Sequence, residues 1–114
     1  MSFKKFEDII AWQKAEKLAL SVYSNFNLCR DFGFRDQIQR ASISISNNIA
    51  EGFERGSNRD FRKFLYIARG SCGEVRSMLT IAFELKYISN ETFKELSFLS
   101  MEISKIIFGL IKKM

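Results

Sequence analysis

Seven apolar residues recur at alternating spacings of four and three between positions 61 and 82. They are Phe61, Leu65, Ala68, Cys72, Val75, Leu79 and Ala82. This spacing places them on one side of an α-helix and is typical of the seam between packed helices. The 114-residue chain also contains no proline, only six glycines and no sustained strand-like alternation. Together these features predict an all-α protein.

Three further segments show helical periodicity on either side of this seam. We predict helices at roughly residues 8–27, 35–55, 58–86 and 90–113. The short links between them favour an antiparallel up-down-up-down four-helix bundle. No linker, repeat or low-complexity segment interrupts the chain, so residues 1–114 are expected to form a single domain.

Short polar side chains mark the expected helix starts. Such a side chain at an N-cap can accept a hydrogen bond from an otherwise unpaired amide of the first turn. The candidates are Asp8, Ser57 or Asn58, and Ser89 or Asn90. Gly33 is expected to close the first loop.

Two of the predicted helices carry more apolar surface than a simple bundle needs. A second stripe on the third helix consists of Phe64, Ile67, Met78 and Leu85. Either two neighbours within the monomer or another subunit would have to bury it. The fourth helix carries Phe98, Met101 and Phe108 on the side away from its core-facing residues. Exposed apolar patches usually mark interfaces, so we predict a homo-oligomer.

The charge balance of the chain is basic. Eighteen Lys and Arg residues against thirteen Asp and Glu residues give a formal net charge of +5, which favours anionic partners through a general field. Modestly basic soluble proteins are common, so the net charge alone identifies no partner. The sequence shows neither a signal peptide nor an apolar run long enough to span a membrane. With Cys29 and Cys72 expected to be free thiols, we predict a cytoplasmic protein with no membrane partner.

Enzymatic chemistry has little support in the sequence. There is no histidine, so the commonest general base and the commonest metal ligand are both missing. The glycines match neither the dinucleotide-binding nor the P-loop spacing. Ser71 and Cys72 have no histidine to activate them as nucleophiles, and Gly70 and Gly73 are expected to let another helix approach closely. We predict no enzymatic activity, no metal and no cofactor.

One flank of the third helix carries a row of basic residues. The row consists of Arg59, Arg62, Tyr66, Arg69, Gly73 and Arg76. Guanidinium groups bond phosphates bidentately and a tyrosine can stack on bases, so the row suits nucleic acid. A solvated face with intrahelical ion pairs is the alternative. The candidate nucleic-acid-binding residues are Arg55, Arg59, Arg62, Lys63, Tyr66, Arg69 and Arg76.

A polar row also runs along the second helix, beside its apolar stripe. This polar row consists of Gln37, Arg40, Ser44, Asn48, Glu51 and Arg55, which recur at spacings of three and four. Glu51 is placed to pair with Arg55 one turn later. Buried or interfacial polar groups need partners. We therefore expect a structural polar network made of Gln37, Arg40, Ser44, Asn48, Glu51, Ser71 and Glu74.

These residues together resemble a known family, the 23S rRNA intervening-sequence proteins, over nearly the whole chain. The matching positions are Phe6, Asp8, Ile9 and Trp12; Gln37-Ile38, Arg40-Ala41, Ser44-Ile45 and Asn48 to Gly52; Arg55 to Ser57; and Phe61, Phe64-Leu65, Ala68, Gly70-Ser71 and Glu74. The resemblance implies a four-helix bundle. Members are similar to the pentameric accessory protein of diversity-generating retroelements, which binds nucleic acid and a reverse transcriptase. A homopentamer with a basic surface and no established catalytic residue is therefore implied.

The basic row and the resemblance lead to two functional expectations. The first is a non-enzymatic oligomer that binds structured RNA or DNA through the basic helix face. The alternative is a protein-interaction scaffold, in which the same face recruits a nucleic-acid enzyme such as a reverse transcriptase and the charge only steers the encounter.

Overall fold

The computed structural model describes residues 3–114 and shows four α-helices. A short 3-10 helix, Phe6–Asp8, precedes α1 (Ile10–Phe26), α2 (Phe32–Glu54), α3 (Asn58–Glu84) and α4 (Asn90–Lys112). Helices that follow each other in the chain pack together, and α1 also packs on α4 to close the bundle. The predicted all-α four-helix bundle is confirmed. Within the described part of the chain, no helix has an apolar stretch that would reach across a bilayer.

The bundle core is built from the apolar stripes that the periodicity indicated. All seven residues of the α3 seam are buried. The other helices contribute large aliphatic side chains that are fully enclosed, among them Leu18, Ile38, Ile45, Ile49, Leu96, Ile103 and Ile107. Burying one such side chain stabilises a fold by about 1.5–3 kcal/mol. This continuous cluster therefore holds the four helices in fixed rotations and determines which faces remain outside.

Two helices begin at the serine caps that the sequence suggested. The hydroxyl oxygen of Ser57 accepts a hydrogen bond from the amide of Asp60 at 3.2 Å, and α3 starts at the next residue. At the start of α4, the Ser89 hydroxyl accepts from the amide of Thr92 at 3.1 Å. Each contact satisfies one of the amides that the first turn leaves unpaired.

The start of α2 differs from the prediction. The helix begins at Phe32 rather than near Arg35, because the Asp31 carboxylate accepts a hydrogen bond from the amide of Phe34 at 3.2 Å and caps the end. The expectation that Gly33 closes the preceding loop is wrong, since this glycine lies in the first helical turn. The loop between α1 and α2 is correspondingly short.

The expected Asp8 cap of α1 is also wrong. Asp8 lies in the 3-10 helix, and the N-cap position belongs to Ile9, which makes no side-chain capping bond. Ile9 is instead buried in the core. Phe6 packs edge-on against Trp12, with 5.1 Å between the ring centroids. Apolar packing, not a polar cap, therefore sets the angle at which the chain enters α1.

Glycines have opposite environments at two places on the bundle. A Cβ atom added at Gly52 would lie 2.5 Å from the Cβ of Phe64, so α2 and α3 pack closely there. At Gly70 and Gly73, by contrast, nothing within residues 3–114 other than the adjoining backbone of α3 comes within 4 Å of an added Cβ. No helix of the same chain approaches these two glycines. They lie on an open surface of α3.

Candidate nucleic-acid interface

The predicted basic residues of α3 lie on its solvent side. Arg59, Arg62, Lys63 and Arg76 are exposed, and Arg69 is half-buried. None of the five forms an ion pair with a carboxylate of residues 3–114. Their positive charge is therefore not neutralised by local ion pairs. We refer to these five residues together with Tyr66 as the basic face.

Arg55 differs from these residues, because it lies at the C-cap of α2 and not on α3. Its guanidinium pairs with the Glu51 carboxylate at 3.0 Å and lies 4.9 Å from the ring centroid of Phe64. The ion pair has the i, i+4 spacing that the sequence indicated. Because Arg55 already has an anionic partner, its charge is less available to a ligand than the charges on α3.

Tyr66 is half-exposed and is engaged with its own helix. The guanidinium of Arg62 lies 5.7 Å from the Tyr66 ring centroid, and its Nη2 donates to the Tyr66 hydroxyl at 3.5 Å. The arginine one turn earlier thus occupies part of the ring surface. A base that stacked on the face of the ring beside Arg62 would compete with that guanidinium.

Arg69 reaches across to α4 and lies over an aromatic ring. Its guanidinium carbon is 4.3 Å from the ring centroid of Phe108, and the Lys112 ammonium is 5.5 Å from the same centroid. A cation over an aromatic face gains about 0.5–1 kcal/mol at an exposed site. Phe108 therefore restrains Arg69, and its ring contacts basic groups from two helices.

The contact between Arg69 and Phe108 was not predicted from the sequence. Phe108 was assigned to a subunit interface on its apolar character alone. The i, i+4 spacing of Phe108 and Lys112 was a usable signal for their contact. The contact with Arg69 could not be predicted from the sequence, because it depends on how α3 and α4 are rotated against each other.

A groove of about 280 Å³ lies between α3 and α4 beside this cluster. It is lined by Tyr66, Arg69, Gly70, Gly73, Arg76 and Ser104. The groove thus has two guanidinium groups and two hydroxyls in its walls, and no carboxylate. Arg59, Arg62 and Lys63 are not among its walls and extend the basic face toward the N-terminus of α3.

The residues predicted to form a polar network join α2 to α3 in two places. Ser71 donates to the Ser44 hydroxyl at 3.0 Å, and Asn48 donates to the Ser44 carbonyl at 2.7 Å and to its hydroxyl at 2.9 Å. Farther along the helices, the Gln37 amide donates to the Glu74 carboxylate at 3.4 Å. Through these contacts, residues of the polar row link α2 to α3.

A larger cleft of about 540 Å³ lies beside this polar row. Its walls are Gly33, Asp36, Gln37, Arg40, Ala41, Ser44 and Glu74. Arg40 makes no ion pair within residues 3–114. Two carboxylates oppose this single arginine, so the cleft is a poorer site for phosphate than the groove between α3 and α4.

The buried thiol of α3 is unsuited to nucleophilic chemistry. Burial raises the pKa of Cys72 to about 12, although Arg76 and Arg69 partly lower it. The reactive thiolate is therefore scarce near neutral pH. The Cys72 carbonyl accepts a hydrogen bond from the Ser100 hydroxyl at 3.0 Å, which ties α3 to α4. Among residues 3–114, no three Cys, Asp or Glu side chains converge on a point where a metal could bind.

Comparisons with known proteins agree with this architecture. A similar solved structure is that of a protein of unknown function from the S23 ribosomal protein family of Bacteroides thetaiotaomicron. The two chains are 28% identical and superpose with a TM-score of 0.84 over 90% of this chain and 99% of that one. No curated protein shows a significant match. The family model described as 23S rRNA-intervening sequence protein matches residues 7–109, and the chain therefore belongs to that family.

Proposed function

We propose that this protein is a non-enzymatic, oligomeric four-helix bundle that binds structured RNA or DNA through the basic face. The observation that supports this most strongly is the set of five basic residues along α3 without a carboxylate partner. Such a surface gains from releasing the counterions of a phosphate backbone. Phosphate contact dominates this mode of binding, so sequence preference is weak and affinity falls steeply with salt.

The proposal is tested by measuring affinity for a labelled RNA hairpin and a DNA duplex across a salt series. Wild type is compared with the combined variant Arg59→Ala, Arg62→Ala and Arg69→Ala. Each lost phosphate contact on duplex DNA lowers the salt slope by about 0.9, so the triple variant is expected to lose roughly two to three units of slope.

A matched control variant distinguishes binding at the basic face from a general effect of the net positive charge. Lys4→Ala, Lys5→Ala and Lys17→Ala remove the same charge from exposed positions outside α3. We expect this control to keep most of the wild-type slope. No binding of either nucleic acid at low salt, or equal losses in the two triple variants, would refute binding through the basic face.

Self-assembly is the second part of the proposal. On α4, the Phe98 side chain is 70% exposed and that of Met101 is 42% exposed. Phe108 contributes less free apolar surface, because two cations lie over its ring. Exposed aromatic and aliphatic side chains of this kind are buried at subunit interfaces. The resemblance to the family adds the expectation of five copies.

A scaffold role is the second candidate function, supported by exposed apolar residues along the helix that carries the basic face. Ile67 and Ile81 of α3, and Leu85 at its C-cap, are each about half exposed. A partner such as a reverse transcriptase would bury them while the nearby charge steers the encounter. Nucleic-acid association that survives high salt, and that disappears when one protein is removed from a pull-down, would favour this role.

A further inference from the structure

The groove between α3 and α4 is small and open to solvent. At about 280 Å³ it lies just below the ~300–1,000 Å³ usual for sites that enclose a whole small molecule. Its walls combine the guanidinium groups of Arg69 and Arg76 with the hydroxyls of Tyr66 and Ser104. These are all groups that can donate to an oxyanion.

The floor of the groove is bare helix backbone. Gly70 and Gly73 lie within α3, where each glycine costs about 1 kcal/mol of helix stability relative to alanine. No packing within residues 3–114 explains them, since nothing other than the adjoining backbone of α3 lies within 4 Å of an added Cβ at either position. Side chains there would instead occupy the space between the two arginines. The glycines keep that space open to a ligand.

One of the two arginines is held in place before any ligand arrives. Arg69 is half-buried, and its guanidinium lies 4.3 Å from the Phe108 ring centroid. Arg76 follows it by seven residues, which is about 10 Å along a helix at 1.5 Å per residue. The two positive groups therefore flank the glycine floor along the helix.

We infer that this groove is a phosphodiester-binding site, in which a backbone phosphate of the nucleic acid lies over Gly70 and Gly73, between Arg69 and Arg76, with Ser104 donating a hydrogen bond. The inference rests on the proposed nucleic-acid binding and extends it by naming the group recognised and the part played by α4. Phe108 acts here as a positioning residue for Arg69. Two guanidinium groups without a competing carboxylate in the walls are the combination that favours phosphate.

Filling the groove without changing its charge tests the inference. Gly70→Leu and Gly73→Leu add side chains in open space, so both variants are expected to fold and to gain helix stability. Gly109→Leu in α4 is the control, because it too meets nothing within 4 Å and lies outside the groove. For a labelled RNA hairpin, we expect each groove variant to lose about one unit of salt slope. The control should match wild type.

The outcomes separate this inference from the broader proposal. If wild type binds the hairpin and both groove variants bind equally well, the phosphodiester site is wrong and binding through the basic face stands. If wild type does not bind the hairpin at low salt, both are wrong. A loss in the Gly109→Leu control as large as in the groove variants would also overturn the site.

The role of Phe108 is tested with Phe108→Leu, which keeps an apolar side chain but removes the ring beneath Arg69. Because the charge of Arg69 remains, the salt slope should not change. The affinity of the folded protein should fall by about two- to fivefold, which corresponds to an exposed cation–π contact. Unchanged affinity would show that Phe108 does not position Arg69 for binding.

Amide chemical shifts distinguish a bound diester from free phosphate. Shifts at Gly70 and Gly73 upon addition of both inorganic phosphate and the RNA hairpin would support a site for the phosphate group itself. Shifts with the hairpin alone would support a site that also needs the adjoining nucleic-acid chain. Shifts at neither glycine, with either probe, would overturn the inference.

Discussion

Gly52 shows how one residue fixes the contact between two helices. An added Cβ would lie 2.5 Å from the Phe64 Cβ and 3.3 Å from the Phe61 ring. The first of these atoms is attached directly to the α3 backbone, so α3 would have to move to make room. Helical periodicity places Gly52 at the edge of the apolar stripe of α2. Its contact partner could not be predicted from the sequence, because the partner depends on the rotation of α3.

We expect Gly52→Ala to lower the free energy of unfolding by about 1–3 kcal/mol, as overpacking does, measured by urea denaturation. Gly109→Ala is the matched control. It meets open space and should raise the free energy of unfolding by up to about 1 kcal/mol. Equal stability of Gly52→Ala and wild type would show that the two helices are not in close contact there.

The buried thiol of Cys72 makes the free energy of unfolding depend on pH, and the sign of this dependence follows from its burial. Burial raises the pKa of this thiol from its ordinary value of 9.0 to about 12. Between these pH values, the unfolded chain has released the proton and the folded chain still holds it. The free energy of unfolding therefore falls as pH rises through this window, and the contribution is fully present below pH 9.

We expect the loss of stability between pH 9 and 11 to be smaller in Cys72→Ala than in wild type. The difference between the two proteins isolates this group from lysines and tyrosines that titrate in the same range. Urea denaturation at several pH values measures it. Parallel curves for the two proteins would contradict a strongly raised pKa.

At the scale of elements, the apolar spacing defined the interior of each helix better than its ends. Ser57 and Ser89 were each one of two candidate caps, with Asn58 and Asn90 as the alternatives, because a short polar side chain precedes a periodic segment. The start of α2 was missed because Gly33 was interpreted as a loop residue, although Asp31 two positions earlier can cap. The start of α1 was missed for another reason, since an apolar residue, Ile9, holds the cap position.

Two serines of α4 have different surroundings. The buried Ser100 hydroxyl donates to the Cys72 carbonyl at 3.0 Å. The Ser97 hydroxyl, one turn earlier, is buried and has no hydrogen-bond partner within residues 3–114. Removing a satisfied hydroxyl loses a bond, whereas removing an unsatisfied one relieves a desolvation cost.

We therefore expect Ser100→Ala to lower the free energy of unfolding by about 1 kcal/mol, and Ser97→Ala to leave it unchanged or raise it. Chemical denaturation of both variants under one set of conditions gives the comparison. A larger loss for Ser97→Ala than for Ser100→Ala would contradict the hydrogen bonding described for this helix pair.

At the scale of the whole molecule, the closed bundle measures 42 × 21 × 19 Å. Different sides of it expose different kinds of side chain. Periodicity was sufficient to predict the fold class, because four amphipathic segments with short links have few ways to bury their apolar stripes. The groove was not predictable, since its walls come from Arg69 and Ser104 on separate helices. Its glycines were noticed, but they were expected to contact another helix.

The exposed apolar residues of α4 lead to a prediction about assembly. We expect wild type at micromolar concentration to sediment as a species several times heavier than the 13.3 kDa chain. Phe98→Asp should shift it toward the monomer, because a charge at the interface is costly to bury. Leu28→Asp is the control at another highly exposed apolar residue and should leave the assembly intact. A monomeric wild type would refute self-association.

The most direct test of nucleic-acid binding through α3 is to map where bound RNA touches the protein. Ultraviolet cross-linking of the RNA hairpin, followed by mass spectrometry of the cross-linked peptides, gives this map. We predict cross-links in α3 between Arg59 and Arg76 and in the part of α4 around Ser104 and Phe108. Cross-links confined to α1 and α2 would contradict the basic face as the binding surface.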